Sequence, residues 1–458
     1  MRRFLRIFFV VYTFHFHSAW ARSLADTNNS RDSTVTEPTL NHNGFIKEDL
    51  ILARKLAQTQ NKLLFIDFGA PWCPACVRLD SEVFGTEEFK NGTKKFIKVA
   101  INVDLVNNHE LMEHYGVKSF PTIIIATDDG VEVYRILDYS PTTALVRELK
   151  SNVRHHLVSV IELEKKAKNG DIKSIQRLAH RASLMGDSLA GAKWFALIPE
   201  KSLEKSQVLT DFWSEKDLKD PVNKANYEKA LREALEIFPS SLNAIFWRLD
   251  LAKSDKENKA VLAANILAIR KLLDSPKDLE KAFQDSRSTL GEFTFEKALL
   301  QSKLIETYET ARDEPNIKTT KLELGKEMSK VTLTLDKPGV VLSSLAYFRE
   351  AGMGVLAEEW LLKLAKAYPD DYAYPMKLTS WYLKTKDYAK GLPYAEKTVA
   401  LFPGSLYNFK QLATIQTQLK QTAEAKKTIE KALALPEAQF EKNKQTIQEL
   451  KALEKTLE

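Results

Sequence analysis

Cys73 and Cys76 are the only cysteines in 458 residues, and they stand three positions apart behind an apolar run. A C-x-x-C spacing lets one sulfur attack a substrate disulfide while the other waits within reach to resolve the mixed disulfide. Upstream, Leu63 to Phe68 is apolar except for Asp67. That is how a strand buried on both faces at the centre of a sheet reads, with one carboxylate out of place. Downstream, Val77, Leu79, Val83 and Phe84 keep helical spacing, which puts Cys73 at or just before a helix N-terminus and Cys76 inside its first turn. Unsatisfied backbone N–H groups and the positive end of the macrodipole favour a thiolate there. The pair reads as a redox couple, with Asp67 as a candidate proton partner.

Other chemistries fit less well. A zinc site would need a second ligand pair, but no further cysteine exists, His109 and His114 are five apart, and His155 and His156 are adjacent. A purely structural disulfide across a two-residue gap would constrain little unfolded-chain entropy. Two thiolates suit a soft metal such as Cu(I), yet no Met or His lies nearby as a third ligand. No metal or organic cofactor is implied.

The segment Asp67-Phe68-Gly69-Ala70-Pro71-Trp72-Cys73-Pro74-Ala75-Cys76 resembles the active-site segment of the thioredoxin superfamily. Leu111-Met112-Glu113-His114-Tyr115-Gly116-Val117-Lys118-Ser119-Phe120-Pro121-Thr122 resembles the helix, Gly-Val turn and Pro-Thr loop that face it. Within the superfamily, residues 45 to 155 are most similar to the C-terminal periplasmic domain of DsbD-type thiol:disulfide interchange proteins. The resemblance implies an exposed nucleophile at Cys73, a buried resolving thiol at Cys76 and a buried acid at Asp67. It also implies a substrate-binding surface at Trp72, Phe120 and Pro121, with a cis Phe120–Pro121 peptide whose backbone pairs with a substrate strand. Three departures stand out. Gly69 occupies thioredoxin's tryptophan position, and Ala100 that of the lysine beside the buried aspartate. The dipeptide Pro74-Ala75 is neither Gly-Pro nor Pro-His, which leaves the redox direction open, with reduction favoured. Without the lysine, burial should raise the Asp67 pKa with less opposition.

The elements that must position this site follow in order. Phe45 to Gln60 shows helical spacing, Phe96 to Val103 reads as a strand, and Asn107 to Tyr115 as a helix. Thr122 to Ala126 and Val131 to Leu137 read as an antiparallel pair around Asp128-Asp129-Gly130, and a closing helix runs from about 141 to 155. The expected fold is an α/β thioredoxin-like domain at 44–156, followed by an all-α tetratricopeptide-like solenoid. A degenerate repeat region is expected at 157–337, with the register of 277–336 unassigned, and clearer repeats with a capping helix at 338–458. The repeat signal is a 34-residue interval linking Ala357, Gly391 and Ala425, then Leu361, Ala395 and Ile429, then Leu364, Thr398 and Ala432. Small residues recurring at one point of each unit let paired helices pack closely.

The N-terminus reads as a signal peptide at 1–21: a basic start, an apolar run from Ile7 to Phe14, and Ala19-Trp20-Ala21 as a cleavage site. A polar, disordered tether is expected at 22–43. Of the formal +6, Arg2, Arg3 and Arg6 leave with the signal, so +3 remains. So modest a charge predicts no nucleic-acid partner, and no stable membrane insertion is expected. The expected location is periplasmic or otherwise secreted. The expected partners are protein substrates with disulfides or thiols, an upstream redox partner, and proteins bound in the repeat groove. A scaffold in which the repeats work and the redox site is incidental is the competing reading.

Overall fold

The computed structural model describes residues 39–155, 158–254, 259–285, 293–440 and 443–457. The expected signal peptide and all but the end of the expected tether lie outside them. The run from Leu63 forms strand β2 (Leu63–Gly69) at the centre of a five-stranded sheet, with β1 (Ile46–Lys47), β3 (Phe96–Asn102), β4 (Thr122–Ala126) and β5 (Glu132–Leu137) in the order β1-β3-β2-β4-β5. β2 runs parallel to β3 and antiparallel to β4, so Asp67 pairs with Ala100 on one side and Ile123 on the other.

Helices α1 (Leu50–Gln60), α2 (Pro74–Arg78), α3 (Glu87–Gly92), α4 (His109–Tyr115) and α5 (Thr142–His155) complete this domain. After α2 the chain continues as a π-helical turn, Leu79–Phe84. One face of the sheet buries Ile66, Phe68, Val99 and Ile124 against Ala53 and Ala57 of α1. The other buries Phe65 in a ring cluster with Phe45, Phe84 and Phe89, whose centroids lie 4.9 to 6.3 Å apart. Such rings bring large apolar areas and favourable edge contacts.

Two expectations need correction. The helical spacing from Phe45 begins instead with a short strand: Phe45 packs on one face of the sheet and Ile46 on the other, the two-residue alternation of extended chain. The tether also ends sooner than residue 43. Leu40 bridges Ile46, and Asn41 Oδ1 accepts from the N–H groups of Asn43 and Phe45 at 3.0 and 2.9 Å. Asn43 Nδ2 in turn donates to the Asp80 carboxylate at 2.7 Å. Side-chain hydrogen bonds of this kind fix a turn that composition alone reads as loose.

Beyond residue 158, helices succeed one another to Lys455, and among the described residues no strand follows β5. The three best-defined hairpins pair Pro338–Glu350 with Gly354–Ala367, Ala373–Thr385 with Tyr388–Leu401, and Leu406–Gln418 with Thr422–Leu433; Lys444–Lys455 caps the last. All nine positions of the 34-residue interval are buried. Gly391 shows why a small residue recurs: a Cβ there would lie 3.0 Å from Tyr382 Cβ and 3.1 Å from Ile415 Cδ1. The unassigned stretch 277–336 holds three helices, Pro276–Asp285, Phe293–Ala311 and Glu314–Met328. No helix among the described residues is long and apolar enough to cross a membrane.

From Leu40 onward the chain forms one compact unit, so the helices pack directly on the redox domain. Arg181, on helix Ile172–Leu184, donates to Glu132 Oε2 at 2.7 Å, and Arg135 holds the same carboxylate at 2.8 Å. Lys118 Nζ donates to the Gly186 carbonyl at 2.9 Å. Near the cysteines, Gly339 permits a close approach to α2, since a Cβ there would lie 2.5 Å from Arg78 Cγ and 2.7 Å from Arg78 N.

Candidate redox site

Cys73 and Cys76 are joined by a disulfide. Cys73 is the N-cap of α2, and its Sγ accepts from the Cys76 N–H at 3.2 Å. That position favours negative charge on Cys73 sulfur. Proline at the first helical position costs nothing, because its missing N–H would have had no helical acceptor.

Asp67 lies close to the pair: a Cβ on Gly69 would stand 4.0 Å from Asp67 Oδ2 and 3.5 Å from Cys76 Sγ. Its Oδ1 is buried without a hydrogen-bond partner. Burial, reinforced by the nearby Asp80 carboxylate, pushes its pKa from the ordinary 3.8 up to about 7. No cation opposes the shift, because Ala100 occupies the paired position on β3. A carboxyl that gains and loses a proton near neutrality suits a partner for a thiol.

The facing loop brings Phe120 and Pro121 to the same end of the sheet. Their peptide bond is cis, and the Phe120 ring meets Trp72 edge-on at 6.1 Å. Trp72 Nε1 donates to Asp104 Oδ2 at 2.8 Å, and the Tyr372 hydroxyl, from the repeats, donates to the same oxygen. Trp72 and Phe120 thus face Phe402, Leu406 and Tyr407 across a cavity of about 250 Å³.

The exposure of the two cysteine residues is the reverse of what the resemblance implies. Cys73 is buried, at 4% exposure, whereas Cys76 is half-buried. The repeats pack close beside the pair. Helix Pro338–Glu350 lies on α2, Val77 packs among Val341, Leu342, Tyr374 and Leu378, and Trp72 is tied to Tyr372 through Asp104. Cys76 borders a second cavity, of about 600 Å³, together with Asp67 and Gly69 from the redox domain and Tyr368, Asp371 and Tyr374 from the repeats. Gly69 keeps that side open, since a Cβ there would lie 3.5 Å from Cys76 Sγ.

All six expected residues, Cys73, Cys76, Asp67, Trp72, Phe120 and Pro121, therefore gather at one end of the sheet. Asp104, Tyr372, Asp80 and Gly339 were not anticipated. Asp104 had one available signal: it follows the carboxyl end of β3, next to the strand that leads into the cysteines, where sites in α/β sheets collect. Among the described residues, no group of three or more His, Cys, Asp or Glu side chains is placed to hold a metal ion.

Residues 51–151 match the family model described as a thioredoxin-like domain. Over 90 residues the chain is 30% identical to thioredoxin 1 of Nostoc sp., covering 20% of this chain and 79% of that protein. The chain belongs to the thioredoxin family. Its thioredoxin domain is also 29% identical over 120 residues to the thiol:disulfide interchange protein DsbD of Actinobacillus pleuropneumoniae, covering 25% of this chain. The chain spans about a fifth of the length of that relative. Among solved structures, the TPR2AB-domain:pHSP90-complex of yeast Sti1 is 14% identical, with a TM-score of 0.24, covering 56% of this chain and 98% of that one. The thioredoxin domain with its C-x-x-C pair points to thiol–disulfide redox chemistry, and the helical remainder is consistent with a repeat solenoid.

Proposed function

We propose that this protein is a secreted, periplasmic thiol–disulfide oxidoreductase that exchanges its Cys73/Cys76 dithiol with protein disulfides, chiefly as a reductase. The observation that carries the reading is Asp67, whose Oδ1 is buried without a hydrogen-bond partner and whose pKa burial raises to about 7, close to a cysteine pair at a helix N-terminus. In the reduced state the Cys73 thiolate attacks a substrate disulfide and a substrate–Cys73 bond forms. Cys76, giving its proton to Asp67, then attacks Cys73 and releases the substrate thiol. A substrate strand pairs beside Phe120 and Pro121.

The repeats hold the protein partner, and Phe402, Leu406 and Tyr407 opposite Trp72 and Phe120 form a docking face beside the substrate-binding residues. Because Cys73 is buried, a protein disulfide reaches it only after local opening around α2, on which helix Pro338–Glu350 lies, so docking and access are coupled. The basic start, apolar run and Ala19-Trp20-Ala21 within 1–21, read as a signal peptide, favour export.

The test uses the full chain with an electron source and a disulfide-bonded protein substrate. Cys73→Ser should abolish turnover, whereas Cys76→Ser should accumulate a mixed disulfide. Equal, undiminished turnover in both variants would sink the assignment.

A further inference from the structure

Strand β5 is the outer edge of the sheet, and helices Val160–Lys168 and Ile172–Leu184 border with it a cavity of about 220 Å³. We propose that this cavity binds a small aliphatic carboxylate, with Arg177 and Arg181 holding the carboxylate and Val160, Leu163 and Leu184 meeting the short apolar body. Nothing in this site depends on the exchange chemistry of the cysteines.

Charge comes first. Three arginines line this space against one carboxylate, Glu132. Arg135 is committed to the fold: its Nε and Nη2 donate to Glu132 at 2.9 and 2.8 Å, and Nη2 also donates to the Tyr115 carbonyl. Arg181 Nη2 donates to the same Glu132 at 2.7 Å, but its buried Nε has no acceptor. Arg177 stands one helical turn before Arg181 on the same face, and among the described residues it has no hydrogen-bond or ion-pair partner. Burial pulls its pKa below the ordinary range, and no neighbouring carboxylate opposes that. His180 is already engaged, with Nδ1 2.5 Å from Glu204 Oε1. A guanidinium stays protonated, so one carboxylate leaves this space with excess positive charge. An anion would supply the acceptors that Arg177 and Arg181 Nε lack.

The walls decide which anion. Val160, Leu163 and Leu184 give the cavity an apolar side, and none of its ten lining residues is exposed. Phosphate and sulfate have no apolar part to set against that side, so they would keep their water only by leaving it unmet. A nucleotide is too large, since pockets for drug-sized ligands begin at about 300 Å³. An aliphatic acid of about four to six carbons satisfies both ends: its planar carboxylate matches the guanidinium fork, and its chain covers the apolar wall.

The test is calorimetric titration of the full-length chain, in a carboxylate-free buffer near neutral pH, with valerate, acetate, inorganic phosphate and 1-pentanol. Valerate should bind at least about tenfold more tightly than acetate, since each further buried methylene is worth about fourfold. 1-Pentanol carries the chain without the charge and should give no binding heat. Arg177→Gln should weaken valerate at least about tenfold, and Arg177→Lys, which keeps the charge but not the planar fork, should fall between it and the wild type. Because Arg177 has no partner to lose, both variants should keep the wild-type circular dichroism; if Arg177→Gln misfolds, Arg177→Lys and the ligand series still decide. The site is refuted if valerate does not bind at millimolar concentration, or binds equally to wild type and Arg177→Gln. Phosphate or 1-pentanol binding as tightly as valerate overturns the carboxylate assignment. Disulfide turnover is not read in this experiment, so the site and the redox reading stand or fall separately.

Discussion

Replacing Asp67 with asparagine keeps the side chain's shape and removes its ionisation, so its effect should depend on pH in a calculable way. The folded state raises the Asp67 pKa from 3.8 to about 7, so it binds that proton more tightly than the unfolded chain does. The stability this contributes is therefore fully present below about pH 4 and is lost as pH rises to about 7. Above that, the wild type carries a penalty of up to about 4 kcal/mol, which asparagine avoids. For a unit of this size that corresponds to a rise in Tm of about 4 °C. Melts of the oxidised chain and of Asp67→Asn at pH 4, 5.5, 7 and 8.5 would measure it. The gap should open between the first and third points and then hold level. The same substitution should slow resolution of a Cys73-linked mixed disulfide by about a hundredfold at pH 7, because the proton partner of Cys76 is gone. Two melting curves separated by a constant gap, with an unchanged resolution rate, would refute the role given to this carboxyl.

Other substitutions test the packing that surrounds the site. Gly339→Ala forces its new methyl against the Arg78 backbone, so it should loosen helix Pro338–Glu350 from α2; alkylation of reduced Cys73 should accelerate several-fold while the secondary structure is kept. Burial works to raise the Glu132 pKa, but the hydrogen bonds and charges of Arg135 and Arg181 outweigh it and hold the carboxyl below its usual range. That stability is present above about pH 4.5 and lost as pH falls through the lowered value, so Glu132→Gln should cost about 3 kcal/mol at pH 7 and far less at pH 3, as chemical denaturation at the two pH values would show. Gly391→Val should overpack against Tyr382 and Ile415 and cost about 1–3 kcal/mol, while leaving reduction of a small disulfide unchanged in a turnover assay.

The parts of this protein that could be read from sequence are those whose cause is local. An apolar run with one acid, a C-x-x-C pair and helical spacing after it lie within some twenty positions, and each is fixed by rules that span a turn or a pleat. The repeat interval was legible for a related reason: each unit packs only on its neighbours, so the buried positions of one predict those of the next. Ile46–Lys47 was missed because two apolar neighbours satisfy a helix template as readily as opposite faces of a sheet. The burial of Cys73 could not be read at all. The repeat residues that pack close to it, Gly339 on Arg78 and Tyr372 on Asp104, carry no mark of being anywhere near residue 73, and its burial reverses what the resemblance implies.

The bond from Tyr372 to Asp104 joins residues 268 positions apart, and chain growth gives that distance a duration. A ribosome adding about 5–20 residues per second needs on the order of 10–60 s to cover it. Throughout that interval Asp67, both cysteines and the Phe120 loop already exist, while the helices that pack on α2 and reach Asp104 have yet to be made. The newborn molecule is thus a redox domain without its repeats, and the mature one carries them packed against it. A partner that needs α2 and Trp72 free of the repeats finds them so in the youngest copies, so the age of a molecule, as well as its abundance, sets how much of that surface a cell exposes at any moment.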